Sequence, residues 1–192
     1  MENQIVFLRS NRIILRPAQE SDIPLFVRWM NDPETRQYIK RNMPLSEGEE
    51  KEWFVSLAKK SDANVHLVMC SVEGNKPIGV IGLHRINWQS RHATTGTVIG
   101  EKDYRDKGLG TEAKMLLLKF AFDTLNLHKV CSSAYATNGR SVHYSEKCGY
   151  KIEARLREQQ FLDGKFVDMV LLAVFREDWL PLWEEFRAKN NL

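Results

Sequence analysis

The stretch Glu101-Lys-Asp-Tyr-Arg-Asp-Lys-Gly-Leu-Gly-Thr-Glu112 constrains this chain more than any other. It follows a β-branched run, Thr94 to Ile99, and precedes a long apolar-periodic run, Ala113 to Leu125. Strand, short glycine loop and helix, in that order, make an anion cradle. Glycine lets successive N–H groups turn inward, and a helix start adds roughly half a unit of positive charge. Arg105 and Lys107 bring full charges to the same place. The loop therefore reads as a pyrophosphate grip. It has neither the G-K-[ST] of a P-loop nor the G-x-G-x-x-G of a dinucleotide fold.

Around this loop the chain alternates strand-like and helix-like segments. Arg12 to Pro17 reads as a first strand. Ser21-Asp22 opens a helix with Pro24 in its first turn, apolar stripe Ile23, Phe26, Val27 and Met30, and a stop at Asn31-Asp32-Pro33. Ser46-Glu-Gly-Glu49 is a capping box, and the helix it opens ends near Lys60-Ser61. Val65 to Val72, Ile78 to Trp88 and Ala93 to Gly100 form a meander, the first two joined by the turn residues Glu73 to Pro77. After the loop come a helix from Thr111, a strand from His128 to Ala136, and a short helix capped by Asn138 and closed by Gly149. Lys151 to Gln160 and Phe166 to Phe175 flank Leu162-Asp-Gly-Lys165, a hairpin signal, and Trp179 to Lys189 closes the chain as an amphipathic helix. The class is α/β or α+β with one mixed sheet.

With 192 residues, 43% hydrophobic and 28% charged, the chain reads as one globular domain with room for a substantial core. A net charge of +3 tolerates an anionic ligand but lacks the clustered basic face of a nucleic-acid binder. Cys70, Cys131 and Cys148 form no C-x-x-C pair and no zinc spacing with the histidines, so no metal is expected. The apolar stretch near Met1 is too short for a signal peptide, and no run has membrane-spanning length. A cytoplasmic location without membrane partners is expected, with a homodimer the commonest assembly for such a protein.

Two blocks carry a family resemblance. Arg105-Asp-Lys-Gly-Leu-Gly110 matches Arg/Gln-x-x-Gly-x-Gly/Ala, and Asn138-Gly-Arg-Ser-Val-His-Tyr-Ser-Glu-Lys-Cys-Gly-Tyr150 matches an Asn, a short helix, then Glu/Arg-Lys-x-Gly-Phe/Tyr. Together they resemble the acetyl-CoA site of the GNAT family of N-acetyltransferases. The branch they look most like holds the ribosomal-protein N-terminal acetyltransferases and spermidine acetyltransferase, through Arg12 to Pro17, Trp29 to Pro33, Thr111-Glu-Ala113 and Asp163 to Asp168. The resemblance implies a single N-acetyltransferase domain with its core over about residues 12–175 and a closing helix over about 179–189. It also implies a mixed sheet of about seven strands, whose fourth strand (here Ala93 to Gly100) splays from the fifth to leave a cleft.

In that cleft the resemblance places acetyl-CoA. Val98, Ile99 and Gly100 would bond the pantetheine arm as an added strand does, and Arg105, Asp106, Lys107, Gly108, Leu109, Gly110 and Thr111 would wrap the pyrophosphate, with Asn138 as a further contact. Where many members place a tyrosine beside the CoA sulfur, seven residues after Asn138, this chain has Ser145; Tyr144 sits about 100° round the helix. Ser145 is thus the expected sulfur contact. The strand's frequent glutamate is replaced by Thr94 and Thr95, so the base is open: Glu158 ranks first, with His84, Glu101 and Asp168 behind it.

The implied reaction is direct acetyl transfer in a ternary complex to a primary amine, whether a protein N-terminus, a polyamine or another small amine. Asp32, Glu34, Glu47, Glu49, Glu50 and Glu52 offer carboxylates for a polycation, diluted by Arg36, Lys40, Arg41 and Lys51. The alternative is a CoA-binding regulatory module with little or no turnover.

Overall fold

Alternation along the second and third strands sets the layers of the molecule. In the computed structural model, which describes residues 5–39, 41, 43–57 and 62–192, Ile13, Leu15, Leu67 and Met69 point into one apolar cluster, while Ile14, Val68 and Cys70 point into another. Each strand is therefore buried on both faces and needs a helical layer on each side. The expected helix end near Lys60-Ser61, the charge of Lys40 and the start of the chain at Met1 lie outside the described residues.

The elements in chain order are β1 (Leu8–Arg9), β2 (Ile13–Pro17), α1 (Ile23–Asn31), α2 (Pro33–Arg36), α3 (Glu47–Leu57), β3 (Val65–Ser71), β4 (Pro77–Asn87), β5 (His92–Ile99), α4 (Leu109–Lys119), β6 (Lys129–Tyr135), α5 (Gly139–Glu146), β7 (Lys151–Leu162), β8 (Lys165–Phe175) and α6 (Arg176–Asn190). The eight strands form one sheet in the order β1-β2-β3-β4-β5-β6-β8-β7. The extra strand over the expected seven is the two-residue β1, which pairs antiparallel with β2. Helices α4 and α6 cover one face, with Trp179 and Trp183 stacked in its core. Helix α1 covers the other through Phe26 and Trp29, and Trp53 of α3 packs against it.

Local chemistry explains the breaks. Ser46 and Glu49 exchange the reciprocal bonds of the capping box, Glu49 N–H to Ser46 Oγ at 3.2 Å and Ser46 N–H to Glu49 Oε2 at 2.9 Å. The β7–β8 turn takes positive φ at both Asp163 and Gly164, the geometry that matches strand twist in a two-residue hairpin. Helix α4 starts two residues earlier than the apolar pattern indicates, because Gly108 at φ 77° caps it. It ends in a π-helical turn, Phe120–Thr124. Among the described residues no helix is long and apolar enough to cross a membrane.

One pairing differs from all the others. β5 and β6 are parallel and stay together only from His92↔Lys129 to Thr94↔Cys131. Beyond Thr94 they part, while β5 remains paired with β4 as far as Ile99. This is the expected splay.

Candidate active site

The gap between β5 and β6 opens into a cavity of about 580 Å³, within the range of small-molecule sites. Its walls are Thr94 to Ile99 of β5, Ser132 to Ala134 of β6, the start of α4 and one side of α5. At its mouth, among the described residues, no amide from Asp106 through Thr111 donates to a protein acceptor; the first α4 bond runs from Glu112 N–H to Gly108. A run of free N–H groups at a helix N-terminus fits a pyrophosphate, so the residues present suit CoA.

The cradle is braced from beneath. Glu112 is buried and accepts from Ser10 Oγ, from Arg12 N–H at 3.1 Å and from Arg12 Nε at 2.8 Å, while Arg12 Nη1 donates to the Lys107 carbonyl at 3.1 Å. The β1–β2 turn thus holds the glycine loop in place.

Of the residues expected at the donor, Val98, Ile99, Arg105, Asp106, Gly108, Gly110, Thr111 and Asn138 line the cavity. Gly100, Lys107, Leu109 and Ser145 do not. The Gly100 N–H is bonded to the Ile78 carbonyl at 2.9 Å, and a Cβ there would run into the Trp29 indole, so this glycine serves packing. Leu109 is buried in the core under α4. Lys107 Nζ lies over the Tyr104 ring at 5.8 Å. The Arg105 guanidinium is spoken for, donating to Ile99 O at 3.1 Å, Thr35 Oγ1 at 2.9 Å and Glu34 Oε2 at 3.3 Å. It ties α2 to the end of β5. Asn138 accepts from Ser141 N–H at 3.0 Å as the cap of α5.

Ser145 is buried, and its hydroxyl donates to the Ser141 carbonyl one turn back at 3.0 Å. Tyr144 faces the cavity instead, with its hydroxyl 3.0 Å from Thr97 Oγ1. Burial, with Cys148 adding to it, pushes the Tyr144 phenol well above its usual range, so it keeps its proton. Counting seven residues from Asn138 arrives at Ser145, one position past the residue that lines the cavity. The one available signal was that Tyr144 is the aromatic nearest the expected register.

The candidate bases separate by geometry. Glu158 is exposed at positive φ in an irregular part of β7, and lines neither this cavity nor the one described next. Asp168 is held by Arg155 Nε at 2.7 Å and by the Glu158 N–H at 2.9 Å. Glu101 is half-buried; burial works against its charge, but the Trp29 indole N–H, Lys76 and Arg28 outweigh that and hold it below the usual carboxylate range. Of the four, His84 lines one of these two cavities. That second cavity, about 490 Å³, lies on the opposite side of β5 among α1, α3, β3 and β4, and includes Phe26, Trp53, Glu50 and His66. Both cavities are lined by Gly96, Thr97 and Val98. Burial, with His66 and Lys114 beside it, lowers His84 to about 4, so it is neutral at pH 7.

Lys114 is the functional candidate that sequence reasoning passed over. It sits in the apolar run of α4, yet its Nζ donates to Thr95 Oγ1 at 2.6 Å and lines the donor cavity.

Comparison with known proteins agrees with this geometry. Residues 12–151 match the family model "Acetyltransferase (GNAT) domain". Spermidine N(1)-acetyltransferase of Escherichia coli (strain K12) is 26% identical over 178 residues, covering 89% of this chain and 90% of that protein. A putative ribosomal N-acetyltransferase of Bacillus subtilis (strain 168) is 30% identical over 101 residues, 53% of this chain and 55% of its own. The fold superposes on the crystal structure of spermidine N-acetyltransferase from Vibrio cholerae in complex with CoA and spermine, with a TM-score of 0.82 at 24% identity, covering 88% of this chain and 98% of that one. Family and relatives alike are acetyltransferases, so the alternative of a regulatory module without turnover finds no support. The chain belongs to the GNAT acetyltransferase family and moves the acetyl group of acetyl-CoA to an amine.

Proposed function

We propose that the acceptor is a polyamine, attacking directly in a ternary complex from the second cavity. The observation that carries this is Glu50. Its residue is 9% exposed, it lines a cavity with an apolar wall of Phe26, Trp53, Leu45 and Met30 and with Arg41, Glu49, His66 and His84 as its other ionisable groups, and among the described residues no hydrogen bond or ion pair closes on its carboxylate. Burial raises its carboxyl, countered by the charge of Arg41. Methylene segments suit the aromatic wall, and an ammonium suits a carboxylate in a partly dry site. Donor and acceptor then meet at Gly96–Val98 from opposite faces of the strand, which needs no covalent enzyme intermediate. His84 is the proposed proton acceptor, since its imidazole is neutral and lies on the acceptor side. Spermidine N(1)-acetyltransferase of Escherichia coli, similar over most of its length, supports a polyamine acceptor.

Acetyl transfer should be measured with spermidine, spermine, a monoamine and N-terminal peptides. Spermidine and spermine are expected to lead, and Glu50→Gln should raise their KM about tenfold, the loss of one charge-assisted contact, while sparing the monoamine. Preference for peptides, with no effect of Glu50→Gln, would overturn the reading. The proposal includes a cytoplasmic enzyme, consistent with the free cysteines Cys70 and Cys148 in its core. It also includes a homodimer, for which the exposed Phe161 and Phe166 of the β7–β8 hairpin offer a surface; sedimentation checks it.

A further inference from the structure

Lys114 is 1% exposed, and no carboxylate among the described residues pairs with it. Its Nζ donates to Thr95 Oγ1 and lies 5.4 Å from the ring centroids of both Tyr144 and Tyr150. A buried ammonium held only by one hydroxyl and two ring faces is costly, because its hydration is gone and no counter-charge replaces it. The groups facing it do not supply one. Burial pushes the Cys148 thiol up to about 12, raises the phenols of Tyr144 and Tyr150, and lowers His84 to about 4, so each of these is neutral at pH 7. Arg85, His143 and Lys147, which line the same cavity, are basic groups and add no negative charge, and the cavity's two carboxylates are paired elsewhere, Glu34 with Lys102 and Arg105 and Asp106 with Arg140.

Position gives this charge a purpose. Thr95 is one residue past Thr94↔Cys131, the last pair before β5 and β6 separate, so Lys114 lies at the apex of the gap. Along α4 it is three residues beyond Thr111, about 4.5 Å deeper than the free amides at the mouth. A donor gripped at the mouth and extended along β5 brings its thioester end toward this apex. In the reaction the amine nitrogen bonds to the carbonyl carbon, the C–S bond breaks with its electron pair passing to sulfur, and the amine proton passes to His84, the proposed acceptor, and on to solvent. Negative charge on sulfur exists only as that bond breaks.

We propose that Lys114 is the buried positive charge that stabilises the departing CoA thiolate. The neutral thioester gains little from it, so the interaction favours the transition state and product over the bound donor. Lys114 then supplies electrostatic help with the leaving group where the expected tyrosine position holds Ser145, whose hydroxyl is engaged within its own helix. Burial lowers the Lys114 ammonium to about 8, so its charge is present at neutral pH and is lost as the pH rises through that value.

The main test, a titration, reads CoA itself and needs no acceptor, so failure of the polyamine reading would leave it intact. The thiol of CoA bound to the full chain is titrated by the ultraviolet absorbance of its thiolate. In the wild-type protein its pKa should lie about 1 to 3 pH units below that of free CoA, the effect of an opposite charge nearby. Lys114→Met should return it to the free value or above, since burial then acts alone, and Lys114→Arg should keep it low. Calorimetry at pH 6, where the thiol is neutral, should find CoA affinity in Lys114→Met within about threefold of wild type, which reports an intact cavity. A wild-type bound thiol that titrates at or above free CoA overturns the proposal, and this measurement stands even if the Met variant does not fold. Equal values in wild type and Lys114→Met overturn it too. So does a kcat that rises through pH 8 in wild type and loses that rise in the variant, the signature of a neutral Lys114 acting as a base.

Discussion

Glu112, 1% exposed, holds the guanidinium of Arg12 at 2.6 Å from the first turn of the helix that starts at the glycine loop. The carboxylate belongs to the cradle's own helix, and the guanidinium reaches on to the Lys107 carbonyl. Loop geometry is thereby set by a turn that is distant in sequence. Glu112→Ala leaves the Arg12 N–H without its acceptor and removes the ion pair to the guanidinium, while Ser10 keeps its bonds to Ile13, and should cost about 3 kcal/mol in urea unfolding. Acetyl-CoA affinity should fall with it. A variant with wild-type stability would mean that the brace is redundant.

Gly108→Val tests the cradle more directly. At φ 77° a β-branched residue is strained, by about 1–2 kcal/mol. Packing contributes little, since the one atom a Cβ would meet is Arg12 Nη2 at 3.7 Å. The expected result is at least tenfold weaker acetyl-CoA binding by calorimetry with a modest loss of stability; unchanged affinity would remove the loop from the donor site.

Tyr144 and Ser145 can be told apart by kinetics. Tyr144→Phe deletes the hydroxyl bonded to Thr97 at the cavity wall and should lower kcat by on the order of 10²-fold with little change in acetyl-CoA affinity. Ser145→Ala deletes a bond internal to α5 and should change kcat by less than about threefold. The opposite ranking would favour Ser145 as the sulfur contact.

Acid stability should depend on His84. Its folded pKa, about 4, lies below the ordinary histidine value of about 6.5, so below 6.5 the unfolded chain binds the proton that the folded chain refuses. Stability is complete above that value and declines as pH falls toward 4, by up to about 1.4 kcal/mol per pH unit from this group. His66, lowered by burial, pulls the same way. His84→Gln should flatten the slope of unfolding free energy between pH 6.5 and 4 relative to wild type, and parallel slopes would refute the assignment.

Local rules made most of the fold legible. Capping chemistry at Ser46, turn chemistry at Asp163-Gly164 and period-two burial along Ile13 to Leu15 each act within a few residues, and each element they announce is present. The cradle was legible for the same reason, its glycines lying next to the helix they start. What escaped depends on long-range packing. The Arg105 charge is diverted to Thr35 and Glu34, the Gly100 N–H to Ile78, and Glu158 lies away from both cavities. Lys114 escaped for a different reason. A lysine near the start of an apolar run carries no local signal of its direction, and only tertiary structure shows that it points inward.

The parting of β5 from β6 also has a consequence for how such a protein can diversify. The two cavities draw on different helices, α2, α4 and α5 for the first and α1 and α3 for the second, and the lining residues they have in common are Gly96, Thr97 and Val98. With the acceptor in the second cavity, as proposed, substitutions on Glu50 or Trp53 would retune which amine is accepted without disturbing the nucleotide grip. The sheet works as a partition whose two tenants can be changed independently.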